Sequence, residues 1–199
     1  MSIFQDKDTP AAITATQGAA IYSSLPDPKG PSPQRIAPEL QILEGVPWSF
    51  FDGASQNIIA GAGLIIHLSP SHSLKASVGL GTGSNNYAEL NALKLLLCWL
   101  IHRHTLSIQI FGDSQNVIRW VNGLSSCRNQ ALKHILGEVQ RLKSMFNSFS
   151  ICHIYRERNV MADQLSKVGL HQDFGSWKIE EEEQGLISRS VQPPYFHPL

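Results

Sequence analysis

Charge is scarce in this sequence. Of 199 residues, 16% are Asp, Glu, Lys or Arg, against about a quarter in an average globular domain, so each charged side chain says more about its position than usual. Sixteen basic and sixteen acidic residues cancel to a formal net charge of zero, which excludes a simple polybasic coat for nucleic acid. Cysteine is scarcer still. Cys98, Cys127 and Cys152 are odd in number and scattered, with no Cys-x-x-Cys and no Cys/His ligand spacing. That argues against a disulfide scaffold or a zinc finger and for a reducing compartment. Long apolar runs are also missing. The longest uninterrupted one, Leu95–Ile101, falls far short of the ~20 residues that a membrane span needs. The first ten residues, MSIFQDKDTP, lack the basic-then-apolar order of a secretory signal. The expectation is a soluble intracellular protein of nucleus or cytoplasm with no membrane contact.

What charge there is lies unevenly. Residues 46–170 carry 11 basic and 6 acidic side chains, net +5, whereas residues 1–45 (3 against 5) and 171–199 (2 against 5) are net −2 and −3. Pro10, Pro26, Pro28, Pro31, Pro33 and Pro38 break any helix in the first stretch, which reads as a Pro-rich disordered leader or linker over residues 1–45. Residues 171–199 contain the run Glu180–Glu183 and end in Pro193, Pro194 and Pro198. They read as an acidic tail with little packed structure, its glutamates simply solvated. One domain remains, residues 46–170.

Within it the hydrophobic period alternates between sheet and helix. Trp48–Phe51 reads as a strand closed by the turn dipeptide Asp52-Gly53, followed by strands at Gly63–Leu68 and Leu74–Leu80. Asn85 to about His102 has no Gly or Pro and is dense in Leu and Ala, which predicts a largely buried helix. Leu106–Phe111 alternates as a fourth strand, Ser114–Asn122 is a short helix stopped by Gly123, and Gln130–Phe146 is amphipathic. Ser150–Tyr155 is a fifth strand. A last helix spans Asn159–Val168, with Asn159 as its cap and Gly169 as its stop. Three strands joined by short turns give an antiparallel meander, and two reached across helices join it in parallel. The predicted class is α/β, a mixed five-stranded sheet flanked by helices.

The domain has six acids: Asp52, Glu89, Asp113, Glu138, Glu157 and Asp163. Four stand at element boundaries, and each has an ordinary explanation. Asp52-Gly53 is a turn, Asn86-x-x-Glu89 resembles a capping box, Asp113 precedes a helix as an N-cap would, and Asp163 pairs with Lys167 at i+4. Their conjunction suggests more. If the first and fourth strands are adjacent and parallel, Asp52 and Asp113 converge, and the starts of two helices can bring Glu89 and Asp163 to the same end of the sheet. Four carboxylates gathered in a domain short of acids repel strongly unless cations neutralise them. Hard divalent ions with oxygen ligands, Mg²⁺ first and Mn²⁺ as a substitute, suit such a set.

The blocks FFDGAS, GTGSNNYAEL, IFGDSQNVIRWVNG and IYRERNVMADQLSK together resemble ribonuclease H of type 1. They are most similar to the ribonuclease H-like domain of plant retrotransposon reverse transcriptases. The resemblance covers about residues 46–170 and implies the ribonuclease H-like fold. It implies that Asp52, Glu89, Asp113 and Asp163 hold two magnesium ions. It implies hydrolysis of the RNA strand of an RNA/DNA hybrid, leaving a 5′ phosphate and a 3′ hydroxyl. On the same footing Gly53, Ala54 and Ser55 bring backbone amides near the RNA, Asn85 and Asn86 read base edges and 2′-hydroxyls, Ser84 meets a DNA phosphate, and Trp120 packs on the DNA sugars. Arg119, Arg128 and Lys133 are candidates to follow the phosphates.

Two departures qualify this. Many type 1 enzymes place a histidine in a loop before the last helix, and RERNVMAD has none. The segment GLSSCRNQ, where the family carries a basic protrusion, is short. The leader could tether the domain to a reverse transcriptase domain in a longer polyprotein; by itself the chain is expected to be a monomer. Integrases are disfavoured because Glu89 precedes Asp113, and proofreading exonucleases because Ala54 stands where they need an acid. The alternative is a catalytically inactive nucleic-acid-binding or scaffolding module with the same fold.

Overall fold

The computed structural model describes residues 40–191, and the Pro-rich stretch before them lies outside the described residues. Seven strands form one sheet: β1 (Trp48–Gln56), β2 (Ile59–Ser69), β3 (His72–Thr82), β4 (Ser107–Gly112), β5 (Ser148–His153), β6 (Trp177–Glu183) and β7 (Leu186–Ser190). Four helices accompany it: α1 (Asn85–His102), α2 (Gln115–Val121), α3 (Gln130–Lys143) and α4 (Val160–Gly169). The strand order is β5-β4-β1-β2-β3-β6-β7. The meander β1-β2-β3 is antiparallel, and β4 and β5 join β1 in parallel, as the chain order predicts. This is the ribonuclease H-like α/β fold.

The expected five strands are seven. Residues read as a solvated tail form β6 and β7, which extend the sheet beyond β3. Alternation explains the error. Trp177 and Ile179 are buried and, with Glu181, share one face of β6. Glu181 there meets His72 at 2.7 Å and Arg103, the C-cap residue of α1, at 2.9 Å. On the other face Glu180 lies between Lys75 of β3 and Arg189 of β7. Glu180 and Glu181 of the acidic run are thus paired across neighbouring strands, while Glu183 stays exposed.

At the other boundary, the leader reading extends too far. Leu43 donates its amide to Gln109 Oε1 at 2.8 Å, and Gln109 Nε2 returns a bond to Leu43 O, so residues just before Val46 are stitched to β4.

Asp52-Gly53 is not a turn. β1 runs straight through it, and the chain reverses at Asn57-Ile58, both with positive φ (49° and 63°). That two-residue connection is the kind that matches strand twist. The core lies between one face of the sheet and α1, where Phe51, Leu64, Ile66, Leu90, Leu93, Leu96 and Leu97 are fully buried. α2 and α3 pack beside α1, and α4 packs on β1, β2 and β3.

Candidate active site

The site starts from strand register. In the parallel pairing Phe50 lies opposite Phe111, so Asp52 and Asp113, each two residues further on, emerge side by side at the same end of the sheet. Asp52 is opposite Gly63 on β2. A Cβ on Gly63 would stand 2.1 Å from Ala162 O and 2.5 Å from Ser166 N. The bare position lets α4 lie against the strand, and Ser166 Oγ there donates to Asp52 Oδ2.

Gly53 does the same for α1 on the opposite face. A Cβ on Gly53 would meet Glu89 N at 2.1 Å and Ala88 C at 2.2 Å. Only a glycine lets the first turns of α1 cross β1 this closely, which sets Glu89 beside Asp52. Glu89 also takes a hydrogen bond from the Gly53 amide.

The ligand oxygens of Asp52, Glu89 and Asp113 lie within 4.8 Å of one another. Asp52 and Glu89 are buried. Burial pushes the Asp52 carboxyl up to about 6; the Ser166 hydrogen bond opposes it, while Asp113 and Asp163 add to it. Burial, then the charges of Asp52 and Asp113, raise Glu89 well above the usual carboxylate range. Glu89 Oε2 is buried and makes no hydrogen bond. An orphaned carboxylate oxygen facing two more carboxylates suits a hard cation, which prefers all-oxygen ligation. The residues present therefore fit a divalent metal.

Asp163 is held differently. Arg156 Nη2 meets its Oδ1 at 2.5 Å, and Lys167 Nζ its Oδ2 at 2.6 Å. Burial alone would raise Asp163, but the bonds from Lys167 and Arg156 outweigh it and hold the carboxyl below its ordinary value. The i+4 pairing with Lys167 is as the sequence predicts. The second partner, from the 3₁₀ turn Arg156–Arg158, keeps Asp163 out of the close trio.

These groups floor a groove of about 600 Å³. From β1 and the start of α1 it is lined by Gly53, Ala54, Ser55 and Asn85, and from around α4 by Arg156, Asp163, Lys167 and His171. Ser84, Asn86 and Trp120 do not line it. Ser84 is the N-cap of α1, its Oγ accepting from Tyr87 N at 3.3 Å, so the capping box expected at Asn86 is not formed. Trp120 is half-buried against the core. Ser114, not Asp113, stands at the N-cap position of α2, which leaves the Asp113 carboxylate to the site. His153 offers Nε2 to Asp113 O at 3.1 Å from its exposed position on β5. Arg119, Arg128 and Lys133 are exposed.

Sequence reasoning missed Ser166, Lys167 and His171 as site residues and treated Asn159 as a cap. Helical spacing was the available signal for Ser166 and Lys167, which fall on one side of α4 with Asp163, while His171 lies beyond its end.

Residues 50–169 match the family described as reverse transcriptase-like. Among solved structures, the chain is similar to RNase H1 from the halophilic archaeon Halobacterium salinarum NRC-1, with 27% identity and a TM-score of 0.60 over 63% of this chain and 98% of that one. It is also similar to LC11-RNase H1, isolated from compost by a metagenomic approach, with 24% identity and a TM-score of 0.58 over 63% and 95% of the two chains. A structure of LC11-RNase H1 in complex with RNA/DNA hybrid aligns with 23% identity and a TM-score of 0.58, over 62% and 96%. Comparison with curated proteins gives no match.

Proposed function

The chain belongs to the reverse transcriptase-like family, and on that footing we propose that it is a metal-dependent endonuclease that hydrolyses the RNA strand of RNA/DNA hybrids. The observation that carries this reading is the convergence of Asp52, Glu89 and Asp113 within 4.8 Å at the floor of an open groove. Such a trio has no structural use that an apolar packing would not serve better. A structural neighbour was solved with an RNA/DNA hybrid, which supports the choice of substrate.

In this reading Asp52, Glu89 and Asp113 hold Mg²⁺, with Mn²⁺ as a substitute, and Asp163 completes the set for a second ion. Bound divalent ions would supply Lewis-acid stabilisation of charge at phosphorus and an activated water. The chain's own residues do the rest. Ser166 holds Asp52 by one oxygen. The Gly53 amide orients Glu89. Arg156, two-thirds exposed beside the carboxylates, offers a cation to a phosphate of the incoming strand. The backbone at Gly53, Ala54 and Ser55 and the amide of Asn85 meet the RNA strand in the minor groove, where 2′-hydroxyls distinguish it from DNA. A retrotransposon-type origin, with linkage to a polymerase domain through the Pro-rich leader, belongs to this proposal. Among the described residues no helix is long and apolar enough to cross a membrane.

The test is cleavage of an end-labelled RNA/DNA hybrid in Mg²⁺. The RNA strand is cut to products with 3′ hydroxyls, and duplex DNA in the same buffer stays intact. The double ion pair on Asp163 is the observation that favours the inactive alternative. Hybrid binding without cleavage in either Mg²⁺ or Mn²⁺ would establish that alternative and refute the enzyme.

A further inference from the structure

Asn159 occupies the N-cap position of α4, where asparagine is among the best residues at capping with its side chain. Here it makes no capping bond. The side chain instead turns inward and is 1% exposed. Its Nδ2 donates to Phe51 O at 2.9 Å and to Asp113 Oδ1 at 3.2 Å, while its main-chain carbonyl accepts from Asp163 N at 3.0 Å. The amide orientation follows from chemistry, because the flipped form would face Oδ1 against two acceptors. Its own Oδ1 is buried without a hydrogen bond.

One residue therefore touches the β1 carbonyl next to Asp52, the carboxylate of Asp113 and the amide of Asp163. A local cap is given up, and a buried acceptor is left unpaired, for bonds to the site. We infer that Asn159 is a positioning residue for the metal centre, fixing one oxygen of Asp113 so that the other is presented to the cation with Asp52 and Glu89. Outer partners that orient a metal ligand characteristically change metal affinity by 10–100-fold. The inference rests on the metal-dependent reading above and adds a role that neither the carboxylate motif nor helix capping assigns.

Asn159→Ser separates the two roles. Serine caps a helix as well as asparagine does, but it is too short to bridge Phe51 O and Asp113. The readouts are metal-free thermal melting of the full chain and Mn²⁺ binding followed by the EPR signal of the free ion. The variant should melt cooperatively without metal and bind Mn²⁺ about tenfold more weakly than the wild type. In an Asp113→Ala background the same substitution should weaken Mn²⁺ binding no further, because the carboxylate it acts through is gone. Wild-type affinity in Asn159→Ser, an equal tenfold loss in the Asp113→Ala background, or failure of Asn159→Ser to fold would each overturn the positioning role. If the wild type itself binds no Mn²⁺, the metal-centre reading fails instead.

Discussion

Gly53→Ala is the sharpest perturbation that the structure offers. The added Cβ would sit 2.1 Å from Glu89 N and 2.2 Å from Ala88 C, where ordinary contacts lie at 3.4–4 Å. Both obstacles are backbone, so no side chain can rotate away. α1 must retreat from β1 by about 1.3 Å, and Glu89 retreats with it. Overpacking of this kind costs about 1–3 kcal/mol, and rigid backbone on both sides puts it at the upper end. For a domain of this size about 3 kcal/mol lowers the melting temperature by roughly 6–12 °C. A misplacement of about 1 Å at a reacting centre costs on the order of 100-fold in rate. Gly137→Ala is the control: it lies exposed on α3 with nothing within 4 Å of its added carbon. Relief of glycine's entropic cost should stabilise that variant by about 0.5–1 kcal/mol and leave cleavage unchanged. Thermal melting and Mg²⁺-dependent hybrid cleavage are measured on both. Wild-type melting and cleavage in Gly53→Ala would refute the claim that a bare strand position sets Glu89 beside Asp52.

Asp113→Asn should reduce Mg²⁺-dependent cleavage to background while melting at or above the wild-type temperature, since it removes both a ligand and a like-charge repulsion on Asp52 and Glu89; wild-type cleavage would remove Asp113 from the site. In EDTA, stability should fall as pH rises from 4 to 7. Burial pushes the Asp52 carboxyl up from its ordinary 3.8 to about 6, so its contribution is complete below 3.8 and lost as pH rises through 6, an amount of about 3 kcal/mol at ~1.4 kcal/mol per unit. Glu89 is raised too and acts with the same sign; urea unfolding of Asp52→Asn should show a shallower fall, and an identical profile would contradict the shift. A chain of residues 46–170 should lose cooperative melting, because it lacks the β6 ladder on β3 and the buried Trp177 and Ile179. Together these outweigh ~5 kcal/mol, the low end of whole-domain stability, and a sharp thermal transition in that fragment would show that β6 and β7 are dispensable.

The acidic trio was legible because it follows from topology. Once β1 and β4 are read as parallel neighbours, Asp52 and Asp113 must converge. In the antiparallel meander β3 runs parallel to β1, so α1 leaves the sheet at the end where Asp52 sits and carries Glu89 in its first turns. The fourth carboxylate was legible as a position but not as a state. Lys167 is visible at i+4, whereas Arg156 reaches Asp163 only through the 3₁₀ turn that no periodicity announces. Asn159 was legible as the N-cap position but not as a side chain turned inward, because capping preference is a local statistic and the bonds that override it run to residues 51 and 113.

The C-terminal strands were illegible for a related reason. Four consecutive glutamates look like a solvated segment when charge is summed along the chain. A strand divides the same run between two faces, and each face meets different neighbours. Glu181 turns toward His72 and Arg103, and Glu180 toward Lys75 and Arg189. The residues that decide the matter are Trp177 and Ile179, whose spacing of two matches strand periodicity and whose burial supplies more than surface ion pairs can. The ion pairs then fix register rather than strength, because a slip by one residue would turn Trp177 and Ile179 out to solvent and set Glu180 against the apolar face.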